Sequence, residues 1–157
     1  MLCHMAPTAS TEKTQAERIH ALLGGQRTFR LRKGPTLLGL HEAAVHRLPV
    51  DVIDTLGENL GTRREAILQT IAVSPRTLAR RRKEGVLSAE ESDRAVRIAR
   101  IAALAEDVLG GRREAVEWLR QPNRSLGGYA PLELVRTDTG AAMVADVLGR
   151  LEYGVFG

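Results

Sequence analysis

The chain of 157 residues carries 23 basic and 19 acidic residues for a formal net charge of +4, with 43% hydrophobic and 27% charged residues. Those fractions belong to a globular chain with one core or two small ones, not to a disordered one, and no segment approaches the ~20 apolar residues of a membrane span. The single cysteine, Cys3, allows neither a disulfide framework nor a cysteine-based zinc site within one chain, so a reducing compartment is expected.

Residues 1 to 14, rich in Ser, Thr and Ala, read as a disordered leader without a signal-peptide run, and the expected location is the cytoplasm. From Gln15 the periodicity is helical, and the expected fold is all-α. Ile19, Leu22 and Leu23 mark one face of a first helix stopped by Gly24-Gly25. Phe29 to Pro35 has no clear assignment. Leu37, Leu38, Leu40 and Val45 suggest a second helix, and Pro49 is placed as the first residue of a third that buries Val52, Ile53 and Leu56.

Thr62-Arg63-Arg64-Glu65 has capping-box spacing and predicts a helix from Arg63 to Thr70. Ala72-Val73 then form a short turn, and Ser74-Pro75 opens a second helix to Lys83, closed by Gly85. Ser88 to Glu91 is another capping box, opening a long helix Ala89 to Leu109. Its Ile98, Ile101, Leu104 and Val108 spread over more than one stripe, which predicts a second-subunit surface and a homodimer. Glu90–Arg94 and Asp93–Arg97 are expected i,i+4 pairs on its exposed side.

Gly110-Gly111 is the expected boundary between a domain of residues 15–110 and one of residues 111–157. Beyond it come a helix Arg112 to Arg120 with Trp118 in its core, a turn-rich linker through Gly128, a short helix from Pro131, and a final helix. Thr137 or Asp138 caps that last helix, which buries Val144, Val147, Leu148 and Leu151 at helical spacing.

Two short helices joined by a tight turn make a helix-turn-helix, and the second is strongly basic. Arg76, Arg80 and Lys83 share a face opposite Leu78 and are placed to enter a major groove, while Ser74, Thr77, Arg81 and Arg82 are placed to touch phosphate. A solvated charged face would have the same composition, and the turn lacks the glycine such motifs often use. The capped pair favours DNA contact; a degenerate motif kept for dimerisation is the other reading.

No catalytic or metal constellation accompanies these elements. His4, His20, His41 and His46 lack metal-ligand spacing and are expected at the surface, Ser125 and Cys3 lack a histidine partner, and Gly127-Gly128 lacks the context of a phosphate loop. The expectation is a binding protein without a cofactor, not an enzyme. From residue 125 onward, Arg136 and Arg150 face Glu133, Asp138, Asp146 and Glu152, so the end of the chain is acidic where the second short helix is basic. Opposite charges on two surfaces point to two partners.

Ser74-Pro75-Arg76-Thr77-Leu78-Ala79-Arg80-Arg81-Arg82, followed by Leu87-Ser88 and Glu91-Ser92-Asp93-Arg94, together with the block Ala115 to Gly157, resembles the antitoxins of the Xre/MbcA/ParS type. These are partners of toxins carrying the RES domain. The resemblance implies an N-terminal Xre-like helix-turn-helix domain for dimerisation and operator binding, and a small helical toxin-binding domain. It implies a toxin that degrades NAD, whose pocket the antitoxin tail enters or covers. That tail maps onto Tyr153, Gly154, Val155, Phe156 and Gly157, and the remaining toxin-contact candidates are Trp118, Leu126, Gly127, Gly128, Pro131, Leu132, Leu134 and Arg150. A transcriptional regulator whose C-terminal block only oligomerises is the alternative, and a hydrolase or transferase a third.

Overall fold

The computed structural model describes residues 9–154, with side chains from Thr14 onward. Its organising element is the long helix α6 (Ala89–Leu109), which carries buried Ala95, Ala99, Ala102, Ala103 and Ala105 beside Ile98 and Ile101. Small residues on several faces let neighbouring helices approach from several sides. Those neighbours are α1 (Ala9–Leu22), α2 (Leu37–Val45), α3 (Val52–Asn59), α7 (Arg112–Arg120) and α9 (Asp138–Glu152). Between them lie α4 (Arg64–Thr70), α5 (Pro75–Glu84) and the single turn α8 (Pro131–Leu134).

The all-helical expectation holds among the described residues, where the one extended pairing is an isolated antiparallel bridge between Pro49 and Val86. That bridge corrects the placement of Pro49 at a helix start. Val50 N–H donates to the Gly85 carbonyl at 3.1 Å and Leu87 N–H to Leu48 at 2.8 Å, so Pro49 sits in a strap and α3 begins at Val52. The strap ties the α2–α3 loop to the α5–α6 loop, and Leu48 N–H adds a bond to the buried Ser92 Oγ at 2.9 Å.

Three other expectations change. Helix α1 starts at Ala9, inside the stretch assigned to a leader; residues 1–8 lie outside the described ones. The Thr62–Glu65 capping box does not form, because Thr62 N–H closes a turn onto Gly57 and the helix opens one residue later with Arg63 at its N-cap. His20 is buried, its Nε2 3.0 Å from the Phe29 carbonyl and its ring edge-on to Phe29 at 4.9 Å, which gives the unassigned Phe29 segment its anchor.

The apolar surface expected on α6 for a second subunit is covered within the chain, since Ile98 and Ile101 are buried and Leu104 and Val108 pack half-buried against the core. Large exposed apolar side chains gather instead on α2, at Leu37, Leu38 and Val45. Gly110 is the left-handed C-cap of α6, and one hydrophobic core runs past it from Ala16 to Leu148.

Candidate functional site: a basic helix and a C-terminal block

Helix α5 begins as its sequence dictates. Ser74 Oγ accepts the Thr77 N–H at 3.1 Å, Pro75 occupies the first turn, and Gly85 ends the helix in the left-handed conformation. Ala72 in the turn before it has φ 56°, so an alanine fills the left-handed position where such motifs often carry glycine. Arg94 Nη1 donates to the Ile71 carbonyl at 3.1 Å and so caps the end of α4 beside that turn. Arg94 is thereby drawn away from the expected pair with Glu90, whereas Arg97 does reach Asp93 at 3.5 Å.

Leu78 turns into the core, and Arg76, Arg80 and Lys83 stand exposed on the opposite face. Among the described residues Arg76 and Lys83 have no ion-pair partner, and Arg80 has a loose one in Glu84 at 3.8 Å. Thr77 is half-buried beside Ser74. Arg82 remains half-exposed while reaching Asp54 at 3.3 Å, and Asp54 also holds Arg64 at 2.6 Å.

Arg81 departs from the phosphate-contact expectation. Its guanidinium lies against Glu91, Nε to Oε2 at 2.7 Å and Nη2 to Oε1 at 3.0 Å, and also reaches Glu84 at 2.8 Å. The reason is the flank: residue 81 lies about 60° around the helix from Leu78 on the side where Glu91 of α6 approaches, whereas residue 82 lies about 40° around on the other side, beside Asp54. Glu84 in turn collects Arg81 and Arg47, and the Arg81 hydrogen bond chiefly holds its carboxyl below the ordinary glutamate range.

The C-terminal block closes a loop between α7 and α8. Asn123 Oδ1 accepts the Ser125 N–H at 2.8 Å, its carbonyl accepts Gly128 N–H at 2.9 Å, and its own N–H reaches Tyr129 O at 3.0 Å. Leu126 plugs the loop from within, while Gly127 and Gly128 form its exposed rim at positive φ. Thr137 Oγ1 caps α9 by accepting Gly140 N–H at 3.0 Å. The glycine is required there, because any Cβ at position 140 would collide with the Leu134 carbonyl. On α9, Val144, Val147 and Leu148 are buried as expected and Leu151 is half-buried.

A family model described as the antitoxin Xre-like helix-turn-helix domain matches residues 39–100, and one described as the antitoxin Xre/MbcA/ParS C-terminal toxin-binding domain matches residues 104–154. The protein named Antitoxin Xre of Yersinia enterocolitica is 39% identical over 109 residues, covering 68% of this chain and 74% of that one. The chain belongs to the Xre/MbcA/ParS antitoxin family. A second Antitoxin Xre, of Photorhabdus laumondii, is 30% identical over 125 residues, 77% of this chain and 84% of its own. A protein of Sphingobium sp. named Prs ADP-ribosylating antitoxin is 33% identical over 79 residues, 45% of this chain and 50% of its own.

The first matched region ends at residue 100 and the second begins at residue 104, both inside α6. In this antitoxin the long helix α6 contributes residues to both matched regions. Within the toxin-binding match, Leu126, Pro131 and Leu132 are buried in the free chain. Trp118 is half-buried against the core rather than enclosed by it, and Leu134 is half-buried too. Gly127, Gly128, Arg150, Tyr153 and Gly154 are exposed, with Arg150 4.0 Å from Asp146. Val155, Phe156 and Gly157 lie outside the described residues. Sequence reasoning gave Arg47 no role and read Arg94 as a surface pair with Glu90, because nothing in their local spacing distinguishes a structural arginine from a solvated one.

Among the described residues no group of His, Cys, Asp and Glu is placed to hold a metal ion, and no helix is long and apolar enough to cross a membrane.

Proposed function

We propose that this antitoxin neutralises a RES-domain, NAD-degrading toxin by direct binding in the cytoplasm, its tail Tyr153 to Gly157 blocking the toxin's NAD pocket. The observation that carries the reading is the end of α9. Val144, Val147 and Leu148 fix that helix in the core, and the chain then leaves it with Tyr153 76% exposed, an aromatic side chain offered to a partner. The name of the Sphingobium relative includes ADP-ribosylation, a reaction that uses NAD, and this supports an NAD-consuming toxin. The same protein is proposed to repress its own operon as a homodimer, with Arg76 and Arg80 of α5 at base edges in the major groove and Lys83 on phosphate. Exposed Leu37, Leu38 and Val45 supply apolar surface for pairing.

The test is NAD turnover by the RES-domain toxin of the same operon, alone and with stoichiometric antitoxin. Abolished turnover is expected. Undiminished turnover in a mixture that forms no complex overturns the reading and leaves a transcriptional regulator with an oligomerising C-terminal block. Light scattering is expected to show a dimer, and a monomer at micromolar concentration overturns that part.

A further inference from the structure

A groove of about 610 Å3 lies in the seam between the helix-turn-helix and the C-terminal block. Helix α4 contributes Ala66 and Gln69, the loop after α7 contributes Tyr129, and the α8 region contributes Leu134 and Arg136. Arg120, at the end of α7, completes it, with its guanidinium lying over Gly61, where a Cβ would come within 3.6 Å of Nη1.

Its chemistry is two-part. Half-buried Ala66 and Leu134 give apolar surface over the largely buried Ala130 and Leu132, and Tyr129 stands more than half exposed beside them. The polar part is net positive: Arg120 and Arg136 are both exposed and have no ion-pair or hydrogen-bond partner among the described residues. The single acid of the groove, Glu133, is already tied, its Oε2 accepting the Ala130 N–H at 2.8 Å. Guanidinium forks select carboxylates, and apolar surface beside them selects a side chain with something to bury. A DNA backbone offers phosphates but nothing to fill an apolar concavity.

We propose that this groove receives an acidic segment of the toxin, carrying an Asp or Glu against Arg120 and Arg136 and an apolar side chain against Leu134 and Tyr129. The proposal rests on the antitoxin reading above and extends it: toxin recognition reaches beyond the matched toxin-binding domain onto α4, the first helix of the helix-turn-helix. It is separate from the tail, which leaves α9 at the end opposite Thr137.

The experiment measures binding of the operon's RES-domain toxin to the full-length chain and to Arg120→Glu/Arg136→Glu, Arg120→Gln/Arg136→Gln and Ala66→Arg. Operator affinity and circular dichroism are recorded for each. The charge reversal is expected to weaken toxin binding at least tenfold and the neutral pair less, with operator affinity and helicity unchanged. Toxin affinity of the wild-type protein should fall with salt more steeply than that of the neutral pair. Equal toxin affinity for wild type and all three variants overturns the groove alone. Loss of operator affinity with toxin affinity intact assigns the arginines to phosphate and overturns it as well. A wild-type protein that binds no toxin removes the antitoxin reading and this proposal with it.

Discussion

Arg81 and Glu91 meet in a two-pronged ion pair, 2.7 and 3.0 Å, with their side chains only 12% and 9% exposed, and so bolt the basic helix α5 to the first turn of α6. Glu91 works in two directions at once. The carboxylate that receives Arg81 also accepts the Ser88 N–H at 2.7 Å, closing the capping box of α6. The orientation of the exposed arginines on α5 is thus set by a contact made on its buried flank.

Removing either partner leaves the other charge half-desolvated. The pair sits at the edge of the core rather than inside it, so Glu91→Gln or Arg81→Ala is expected to cost roughly 1.5–3 kcal/mol, below the loss for a deeply buried pair. Urea unfolding measures it. A change within error of zero would show that Arg81 is a surface cation after all, and operator affinity of Arg81→Ala measured well below the unfolding midpoint would then fall as for a phosphate contact.

The same carboxylate makes stability sensitive to acid. Burial opposes the charge on Glu91, but the Arg81 hydrogen bond and the Ser88 N–H outweigh it and hold its carboxyl below the ordinary glutamate range. A folded-state value below the unfolded one means stabilisation that is complete above ~4.3, the ordinary glutamate pKa, and lost as pH falls through the folded value. The stability gap between wild type and Glu91→Gln is therefore expected to be full at neutral pH and to close in the acid range below that point. A gap that persists unchanged into strong acid would contradict the assignment.

Ala72 holds a left-handed backbone at φ 56° that costs a residue with a Cβ about 1–2 kcal/mol, of which glycine's extra unfolded-state entropy would return a part. Ala72→Gly is expected to stabilise the protein by about 0.5–1 kcal/mol, and Gly140→Ala to destabilise it by about 1–3 kcal/mol through its collision with the Leu134 carbonyl. Thermal melts of the two variants should move in opposite directions. Melts that shift the same way would refute one of the two backbone arguments.

Most of the helices were legible because their signals are local. Ser74-Pro75, Ser88 to Glu91 and Gly85 each act within one turn of chain, and the stripe Val144, Val147, Leu148 records a single helix's burial. Features decided between distant segments were not legible. Pro49 looks like a helix opener until Val86 is brought beside it, 37 positions away in the chain being bridged by the strap. Arg81 and Arg82 are neighbours of identical type, and only the approach of α6 to one flank and of Asp54 to the other separates them. The burial of Leu126 and Leu132 was not legible either, because a buried and an exposed leucine have the same letter in a loop-rich stretch.

The exposed face of α5 makes a prediction that separates base from phosphate contacts. Arg76→Ala and Arg80→Ala are expected to cost about 1–3 kcal/mol each on the operator and to relax sequence preference. Lys83→Ala should weaken all sequences alike and reduce the salt dependence by about one counterion. Arg82→Ala should have the smallest effect of the four, since its guanidinium already has Asp54. Titrations at several salt concentrations check the set, and unchanged affinity for all four variants would remove α5 from the DNA interface.

The tail makes the last prediction. Tyr153 is the C-cap of α9, its N–H bonded to the Gly149 carbonyl at 3.2 Å, yet its ring is 76% exposed and adds little to the folded core. Deleting Tyr153 to Gly157 is expected to leave the circular dichroism spectrum and melting temperature nearly unchanged. Neutralisation should nevertheless fall, because burying Tyr153, Val155 and Phe156 in a preformed cleft contributes roughly 1.5–3 kcal/mol per large side chain before ordering costs. The groove below α4 is intact in the truncated protein, so complex formation should survive while NAD turnover by the toxin returns. Full inhibition by the truncated protein would make the tail a bystander and move the inhibitory contact to the surface between Trp118 and Leu134.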